Sequence, residues 1–366
     1  MGRPIRVLHI TQHLEIGGLE TLIVELCRHV DDVRFRSQVL CLNGYNPNYK
    51  AKLSRLGIPV TLIKKKRKFD LSFFKRVIMF LKAEKIDVVH AHGGVQFYSV
   101  LCGKLAGINK IIYTAHGLPV EHSFQTHCEN HIFSVMVDRI VAVSEEIKKD
   151  CAARLPLGRK KLGLIINGVD VNVFRPRNGS VDSDRFKEQL DIPPDKIIIG
   201  SVGRLEKVKN YSMLFRAFGE FIKFTGGNGR LVLMGDGTER VSLERLAKRL
   251  GISQEVSFLG VQDNLADVLP ILDVFALSST TEGTSVSLLE SQACGIPAVV
   301  TNVGGNGNIV KNGYNGFLCD VHNHKDMAQK FLLLANDKEL FAAMRRNARA
   351  TVTGRFNLQP MIQSYQ

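Results

Sequence analysis

The chain has 366 residues, 45% hydrophobic and 23% charged, which is ordinary for a globular protein and long enough for two domains with separate cores. No apolar run approaches the roughly 18 residues of a membrane span, and seven cysteines without C-x-x-C spacing favour neither a disulfide framework nor a zinc ribbon. The net charge of +14 is uneven, because residues 1–175 carry 27 Lys/Arg and 15 Asp/Glu whereas residues 176–366 carry 22 and 20. We therefore expect the first half to face something anionic, either nucleic acid or a membrane surface.

The N-terminus leads directly into a strand. Ile5–Thr11 is predicted to be buried, and no secretory signal pattern precedes it, so a cytoplasmic location is expected. Gly17 and Gly18 follow, allow the backbone to approach a ligand closely, and precede a helix predicted from Glu20 to Cys27. This loop lacks the third glycine and the later acidic residue of a dinucleotide fingerprint, so NAD binding is not expected.

A basic cluster precedes a helix that carries extra aromatic residues. The cluster consists of Lys64, Lys65, Lys66, Arg67 and Lys68. The helical packing stripe consists of Phe74, Val77, Ile78 and Leu81. Phe73 and Phe80 fall off this stripe, beside further basic residues. The segment is interpreted either as a membrane-surface element, or as core phenylalanines next to a solvated basic turn.

Histidines end two neighbouring predicted strands. Asp87–His92 ends in H-A-H, and Lys110–Gly117 carries His116 near its end. Because ligands bind at the carboxyl edge of open α/β sheets, His116 is the preferred contact for a ligand. His127 and His131 lie four apart, but they lack the H-E-x-x-H spacing of a zinc protease, so no metal site is predicted.

The second half begins with a loop that carries two cations. After further strands predicted at Asp138–Ser144 and Leu164–Asp170, the strand from residue 196 leads into Gly203, Arg204 and a loop reaching Lys209. Arginine binds phosphate as a planar fork and lysine as a point charge, so the two could clamp a diphosphate. A helix is predicted from Asn210 to Phe224. Later strands are predicted to end at Gly235 and at residue 260.

The segment Ser278–Pro297 contains two carboxylates eight positions apart. Glu282 is predicted in a loop after a strand, and Glu290 about two turns into the following helix. Between them, Gly283, Thr284, Ser285 and Val286 are predicted to offer backbone N–H groups to an anion at a helix N-terminus. The carboxylates can accept hydrogen bonds from sugar hydroxyls. The alternative is that both glutamates are simply solvated.

These motifs, E-G-T-S-V-S-L-L-E followed by A-C-G-I-P, G-R-L-E-K-V-K-N, H-A-H and T-A-H-G, resemble those of the retaining, nucleotide-sugar-dependent glycosyltransferases of family 4. The resemblance implies an α/β protein of the GT-B fold, with two Rossmann-like doubly wound parallel-sheet domains facing each other across a cleft. The implied division is an acceptor-side domain at 1–172, a linker at 173–195, a sugar-donor domain at 196–350, and a C-terminal helix at 351–366 that crosses back.

The implied activity is transfer of a sugar from a UDP- or GDP-type donor to a hydroxyl of a glycan or lipid-linked acceptor, in polysaccharide or lipopolysaccharide synthesis. By resemblance, Arg204 and Lys209 stabilise the diphosphate, Glu290 holds the ribose, Glu282 holds the donor sugar, and Gly203 and Gly235 line the site. His116 and the Gly17–Gly18 loop contribute from the first domain. No cofactor or metal is expected, because two cations already serve the diphosphate.

Two other functional classes stay open. One is a sugar-nucleotide epimerase or phosphorylase on the same scaffold. The other is a non-catalytic binding protein, for which nucleic acid is the ligand that the charge suggests. The chain has no tryptophan and no RNA-binding fingerprint, so nucleic acid is not an expected partner. The partners expected instead are a nucleotide sugar, its acceptor, and an anionic membrane surface.

Overall fold

The structure is a computed structural model that describes residues 3–15, 17–65, 70–117, 130, 132–176 and 187–366. The chain divides into two units. One comprises Met1–Asn167 together with Met361–Gln366, and the other comprises Gly168–Pro360. Each unit is built on its own parallel sheet, as the GT-B prediction requires. The predicted alternation of strands and helices around a parallel sheet is therefore confirmed in both halves.

The first unit contains a seven-stranded parallel sheet within the described residues, in the order β3-β2-β1-β4-β5-β6-β7. Its strands are β1 (Ile5–Leu14), β2 (Phe35–Tyr45), β3 (Val60–Leu62), β4 (Val88–His92), β5 (Lys110–Ala115), β6 (Arg139–Ala142) and β7 (Leu162–Leu164). Its helices include α1 (Gly18–His29), α2 (Pro47–Arg55), α3 (Leu71–Ala83), α4 (Gln96–Ala106) and α5 (Glu145–Arg154). Parallel neighbours need crossover connections, and these helices provide them while burying the sheet.

The second unit contains a six-stranded parallel sheet within the described residues, in the order β10-β9-β8-β11-β12-β13. Its strands are β8 (Ile197–Val202), β9 (Gly229–Met234), β10 (Val256–Gly260), β11 (Val274–Leu277), β12 (Ala298–Thr301) and β13 (Gly316–Cys319). Its helices include α6 (Tyr211–Thr225), α7 (Arg240–Leu250), α8 (Leu265–Val268), α9 (Val286–Ala293), α10 (Asn306–Ile309), α11 (His324–Asn336) and α12 (Lys338–Arg355). Helix α13 (Leu358–Tyr365) then runs from this unit into the last residues of the first.

Both sheets reverse their strand order at one point. In the first sheet β1 lies between β2 and β4, and in the second β8 lies between β9 and β11. Successive connections leave such a position in opposite directions, which opens a crevice at the carboxyl ends of the strands. The loops that follow β1, β4, β8 and β11 carry most of the candidate residues, so the topology places them where open α/β sheets bind ligands.

The strand predicted at Leu164–Asp170 is wrong in its position. Strand β7 covers only Leu162–Leu164, and the chain then leaves the sheet. The Val169 N–H donates to the Phe356 carbonyl at 2.9 Å, and the Leu358 N–H donates to the Val169 carbonyl at 3.0 Å. The backbone groups of Val169 are thus satisfied by a segment nearly 190 residues later, which an apolar run in the sequence does not reveal.

The two phenylalanines predicted for a membrane surface belong to the core of the first unit. Phe73 is 1% exposed and lies on the buried stripe of α3 with Val77 and Leu81, and Phe80 packs partly buried against the same cluster. The buried stripe begins one residue earlier than predicted, because Phe73 lies four residues before Val77 and eight before Leu81 and so shares their face of the helix. Asp70 caps α3 by accepting a hydrogen bond from the Phe73 N–H. The prediction of a surface aromatic edge at Phe73 and Phe80 is therefore wrong.

Several other predicted residues cannot be placed. Lys66, Arg67, Lys68, His127 and His131 lie outside the described residues. Of the basic cluster, Lys64 is exposed, whereas the Lys65 ammonium donates a hydrogen bond to the Tyr98 hydroxyl. Among the helices of the described ranges, none is both long enough and apolar enough to cross a membrane.

Candidate active site

The loops after β8 and β11 are joined to each other in the second unit. The Thr280 N–H donates to the Val208 carbonyl at 2.8 Å, and the Ser278 hydroxyl donates to the Lys209 carbonyl at 2.9 Å. The two motifs are about 70 residues apart in the sequence, and these bonds hold them in one surface at the switch point of the sheet. The predicted cation loop and the predicted carboxylate loop are thus parts of a single site.

An ion pair lies where these loops meet. The Lys209 ammonium donates to Glu282 Oε1 at 2.6 Å, and the Ser279 hydroxyl donates to the same oxygen at 2.6 Å. The Lys209 side chain is 21% exposed and that of Glu282 is 9% exposed, so the pair is only partly hydrated. Charge-assisted bonds of this length orient both groups. Lys209 is thereby presented as a fixed point charge beside a fixed carboxylate acceptor.

Two glycines allow the surrounding loops to pass at close range. Gly235 has φ +141°, and a Cβ at that position would lie 2.0 Å from the Gly203 carbonyl oxygen. Gly304 has φ +54°, and its Cβ would lie 1.8 Å from the carbonyl oxygen of Glu282. Both contacts are impossible for any residue with a side chain, so glycine is required on steric and conformational grounds. The predicted residues Gly203 and Gly235 therefore belong to one backbone cluster beside the ion pair.

The N-terminus of α9 lies directly after Glu282. Ser285 caps the helix by accepting a hydrogen bond from the Leu288 N–H, and the Ser287 hydroxyl donates to the Val202 carbonyl at 3.2 Å at the end of β8. Thr284 and Ser285 are buried, and Val286 is the first helical residue. The helix N-terminus, with the positive end of the helix dipole, is thus fixed against the central strand.

Glu290 is buried, with 6% of its surface exposed. It is the fifth residue of α9, so it lies about one turn into the helix instead of the two turns predicted. Because a buried carboxylate is costly without polar partners, the alternative that Glu290 is a solvated helix residue is wrong. Arg204, on the loop after β8, is exposed.

The first unit gathers four histidines, one within β1, two on β4 and one directly after β5. His9, His90 and His92 are 3%, 4% and 0% exposed, and His116, one residue after β5, is half-buried. His9 Nδ1 lies 3.1 Å from His92 Nε2, and His92 Nδ1 lies 3.1 Å from His116 Nε2. The predicted residue His116 is therefore the outer end of a hydrogen-bonded chain of three imidazoles, the histidine chain His9–His92–His116.

The other side of this cluster is closed by the C-terminal helix. His90 Nε2 lies 2.8 Å from the Thr114 hydroxyl, which lies 3.4 Å from the Tyr365 hydroxyl. The Tyr365 and His90 rings are 5.6 Å apart, and Tyr365 is one of the residues of α13 that belong to the first unit. The sequence did not suggest a role for His9. The one sign of His9 in the sequence is that a polar residue interrupts the apolar residues of β1.

Burial keeps these imidazoles neutral. Desolvation lowers the pKa of His9 to about 4 and that of His116 to about 3, and it lowers the pKa of His90 and of His92 well below the usual range, with a smaller contribution from the neighbouring histidines. A neutral imidazole carries one N–H donor and one acceptor nitrogen. Ring nitrogens of His9, His90 and His92 lie within 4.8 Å of one another. These three residues are therefore also the candidate ligands for a metal ion.

The glycine loop after β1 begins a helix as predicted. Strand β1 extends to Leu14, three residues past the predicted end, and α1 begins at Gly18. The Gly17 carbonyl accepts a hydrogen bond from the Thr21 N–H at 3.0 Å, so Gly17 lies at the helix N-terminus. This loop follows the central strand β1, beside the strand that ends in His92.

Two family models match successive parts of the chain. Residues 16–173 match the model described as Glycosyltransferase Family 4, and residues 182–351 match the model described as Glycosyl transferases group 1. The matched ranges correspond closely to the two units of the fold. All of the candidate residues of the second unit fall within the second match.

Characterised relatives match most of the chain. The UDP-Gal:alpha-D-GlcNAc-diphosphoundecaprenol alpha-1,3-galactosyltransferase of Escherichia coli is 28% identical over 97% of this chain and 94% of its own length. The N-acetyl-alpha-D-glucosaminyl L-malate synthase of Bacillus anthracis is 27% identical over 81% of this chain and 78% of its own length. Among solved structures, HepE of Anabaena in complex with UDP-glucose superimposes with a TM-score of 0.85 at 21% identity, covering 98% of both chains.

Proposed function

Since this chain belongs to glycosyltransferase family 4 and is a glycosyltransferase of the GT-B fold that acts on nucleotide sugars, we propose that it transfers a sugar from a UDP-sugar to a lipid-linked glycan, with retention of anomeric configuration. The observation that carries the proposal is the Lys209–Glu282 pair, held at 2.6 Å beside the N-terminus of α9. This arrangement offers positive charge for a diphosphate and a carboxylate acceptor for sugar hydroxyls within one loop pair.

The chemistry requires a leaving group that can accept negative charge. When the bond between the anomeric carbon and the diphosphate breaks, Arg204, Lys209 and the N–H groups of residues 283–286 would stabilise the developing charge on the phosphate oxygens. Lys209 already occupies a fixed position, so little reorganisation accompanies the step. Glu290 would accept hydrogen bonds from the ribose hydroxyls, and Glu282 from hydroxyls of the sugar. We propose that two cationic side chains replace a divalent metal ion in this role.

Retention would follow from attack on the same face of the sugar that the diphosphate leaves. No covalent nucleophile is assigned. The leaving phosphate would take the proton of the acceptor hydroxyl, so that the new glycosidic bond forms as the sugar–phosphate bond breaks. Within the first unit, His116 is the proposed ligand contact.

The choice of sugar donor and acceptor is supported by the relatives. The Escherichia coli enzyme, named for UDP-galactose and a diphosphoundecaprenol-linked acceptor, matches 97% of this chain, whereas the malate synthase of Bacillus anthracis matches 81%. The solved HepE structures hold UDP or UDP-glucose. A lipid diphosphate acceptor is also compatible with the basic composition of residues 1–175.

The roles of the two carboxylates predict opposite binding patterns. Glu290→Gln is expected to weaken free UDP and UDP-sugars alike, because the ribose is common to both. Glu282→Gln is expected to keep or tighten UDP binding, since Lys209 loses its carboxylate partner and becomes more available to phosphate, while UDP-sugar binding weakens about tenfold, as for one lost charged hydrogen bond. Isothermal titration calorimetry with UDP and a panel of UDP-sugars measures both.

A surface glutamate provides the control. Glu220 pairs with Lys223 at 3.0 Å on α6, so Glu220→Gln should leave both affinities unchanged. If Glu282→Gln weakens UDP itself and Glu290→Gln weakens only the sugar-bearing ligand, the assigned roles are reversed. Measuring UDP release with and without acceptor in the same preparations separates a transferase from an epimerase, because only the transferase releases UDP in an acceptor-dependent way.

A lipid-linked acceptor brings the protein to a membrane surface, and the basic cluster at residues 64–68 is the proposed contact. Each basic residue near an anionic bilayer contributes about 1 kcal/mol, so five can hold the protein at low salt. Wild-type protein should sediment with anionic vesicles at low salt, and not at 1 M salt, where the Debye length falls to about 3 Å. Replacing all five residues with serine should abolish sedimentation, and zwitterionic vesicles are the control. Wild-type protein that stays in the supernatant at low salt would refute this contact.

A further inference from the structure

The first unit contains a hydrogen-bonded histidine chain behind His116, and the proposed role of His116 does not explain why it continues inward. His92 is fully buried and bonds with both ring nitrogens, Nδ1 to His116 and Nε2 to His9, each at 3.1 Å. His9 is also buried and comes from a different strand, β1. Three imidazoles, from β1, from β4 and from the residue after β5, are thus aligned by side-chain hydrogen bonds.

The chain can carry its protons in only two ways. Each of the three rings is neutral and has one N–H and one acceptor nitrogen. If His9 Nδ1 donates to His92 Nε2, then His92 donates from Nδ1, and His116 must accept at Nε2 and carry its own proton on Nδ1. If His116 donates from Nε2, all three protons take the opposite positions. The tautomer of His116 is therefore coupled to that of His92 and, through His92, to that of His9.

We propose that His92 is a positioning residue, which fixes the ring orientation and the tautomer of His116 and so determines whether His116 Nδ1 offers a donor or an acceptor to a ligand. This inference rests on the proposed function, because it concerns the ligand contact assigned to His116. It adds that the buried residues His92 and His9 act on the ligand through His116. Neither His92 nor His9 is a catalytic residue in this account.

A metal ion at the same cluster explains the geometry less well. Three imidazoles that converge on one zinc ion hold their ring centres about 5 Å apart, given a Zn–N distance of about 2.0–2.1 Å. The His9 ring centre lies 5.2 Å and 5.3 Å from those of His90 and His92, but the His90 and His92 rings are only 4.0 Å apart and tilted against each other. In addition, His92 uses its second ring nitrogen to bond with His116, which lies outside this group of three, as a hydrogen-bonded chain does.

Asparagine and glutamine at position 92 separate the two bonds. An asparagine amide reaches the position of Nδ1 and can keep the bond to His116, whereas a glutamine amide reaches the position of Nε2 and keeps only the bond to His9. His92→Gln is expected to lower kcat about tenfold or more with the KM for the UDP-sugar changed less than threefold, and His92→Asn to stay within about threefold of wild type. Thermal unfolding of both variants shows whether they fold equally well.

A spectroscopic readout tests the inference independently of turnover. In full-length protein labelled with ¹⁵N-histidine, the His116 signals, assigned with His116→Gln, should show one tautomer in the wild type and a mixture of tautomers in His92→Gln. In His92→Asn the amide can offer either its N–H or its oxygen to His116 Nε2, so the ring stays bonded at that nitrogen. If wild-type protein transfers no sugar, the proposed function fails while the tautomer measurement still decides this inference.

Three results would overturn the inference. One is an equal loss of turnover in His92→Asn and His92→Gln, which is the behaviour of a residue that only packs. Another is a wild-type tautomer at His116 in the His92→Gln variant. The third is binding of one equivalent of zinc to wild-type protein that is lost in both variants, which would make the cluster a metal site.

Discussion

Replacing Lys209 with alanine is expected to lower turnover about 10²-fold or more, as for the loss of a fixed charge contact to a leaving group. The ammonium is held 2.6 Å from Glu282 and is only 21% exposed, so water cannot take its place at low cost. Arg204→Ala should reduce turnover to a similar degree, because the diphosphate loses the other half of the clamp. The measurement is acceptor-dependent UDP release at saturating acceptor, with circular dichroism to verify the fold.

Lys207 is the matched control for this prediction. It lies two residues before Lys209 on the same short 3-10 helix, Lys207–Lys209, but its side chain is exposed. Lys207→Ala should therefore keep turnover within about twofold, as expected for a surface charge. Turnover of Lys209→Ala and Arg204→Ala within threefold of wild type would refute the clamp. Loss of wild-type activity in excess EDTA, restored by magnesium or manganese, would show that a metal ion has the role assigned here to the side chains.

Replacing Gly304 with alanine is expected to disrupt the sugar-donor site, although Gly304 lies on the loop after β12 and Glu282 on the loop after β11. The residue has φ +54°, which costs a non-glycine residue about 1–2 kcal/mol, and its new Cβ would overlap the Glu282 carbonyl oxygen at 1.8 Å. The loop that carries Glu282 must then move, and with it the pair to Lys209. We expect UDP-sugar turnover to fall more than tenfold, since catalysis is sensitive to displacements of about 1 Å.

The variant Gly313→Ala is a control that separates the steric overlap expected in Gly304→Ala from the cost of backbone strain. It has φ +76°, and a Cβ built on it meets nothing within 4 Å. Gly313→Ala should therefore show only the conformational cost, as a small loss in chemical denaturation, with turnover near that of wild type. Equal turnover of the Gly304→Ala and Gly313→Ala variants would mean that the approach of Gly304 to Glu282 does not shape the site.

Local sequence patterns predicted a helix or strand correctly where the residues of that segment alone determined its structure. The apolar run at residues 256–260 predicted the strand Val256–Gly260, and the helical composition around Glu290 predicted the helix that the structure has at Val286–Ala293. They failed where a distant segment decided the outcome. The strand predicted at Leu164–Asp170 was lost because Val169 bonds with residues 356 and 358.

The sequence by itself determined the family, the two parallel sheets and the residue types of the site, because glycines, carboxylates and basic residues follow strands at recognisable spacings. Only the tertiary structure decided which of these residues meet. The Lys209–Glu282 pair joins loops 73 positions apart, and the His9–His92 bond joins strands 83 positions apart. Both depend on strand order in a parallel sheet, where neighbours in space are separated in sequence by crossover helices. No short pattern contains that order, so His9 could be recognised only after β1 was found beside β4.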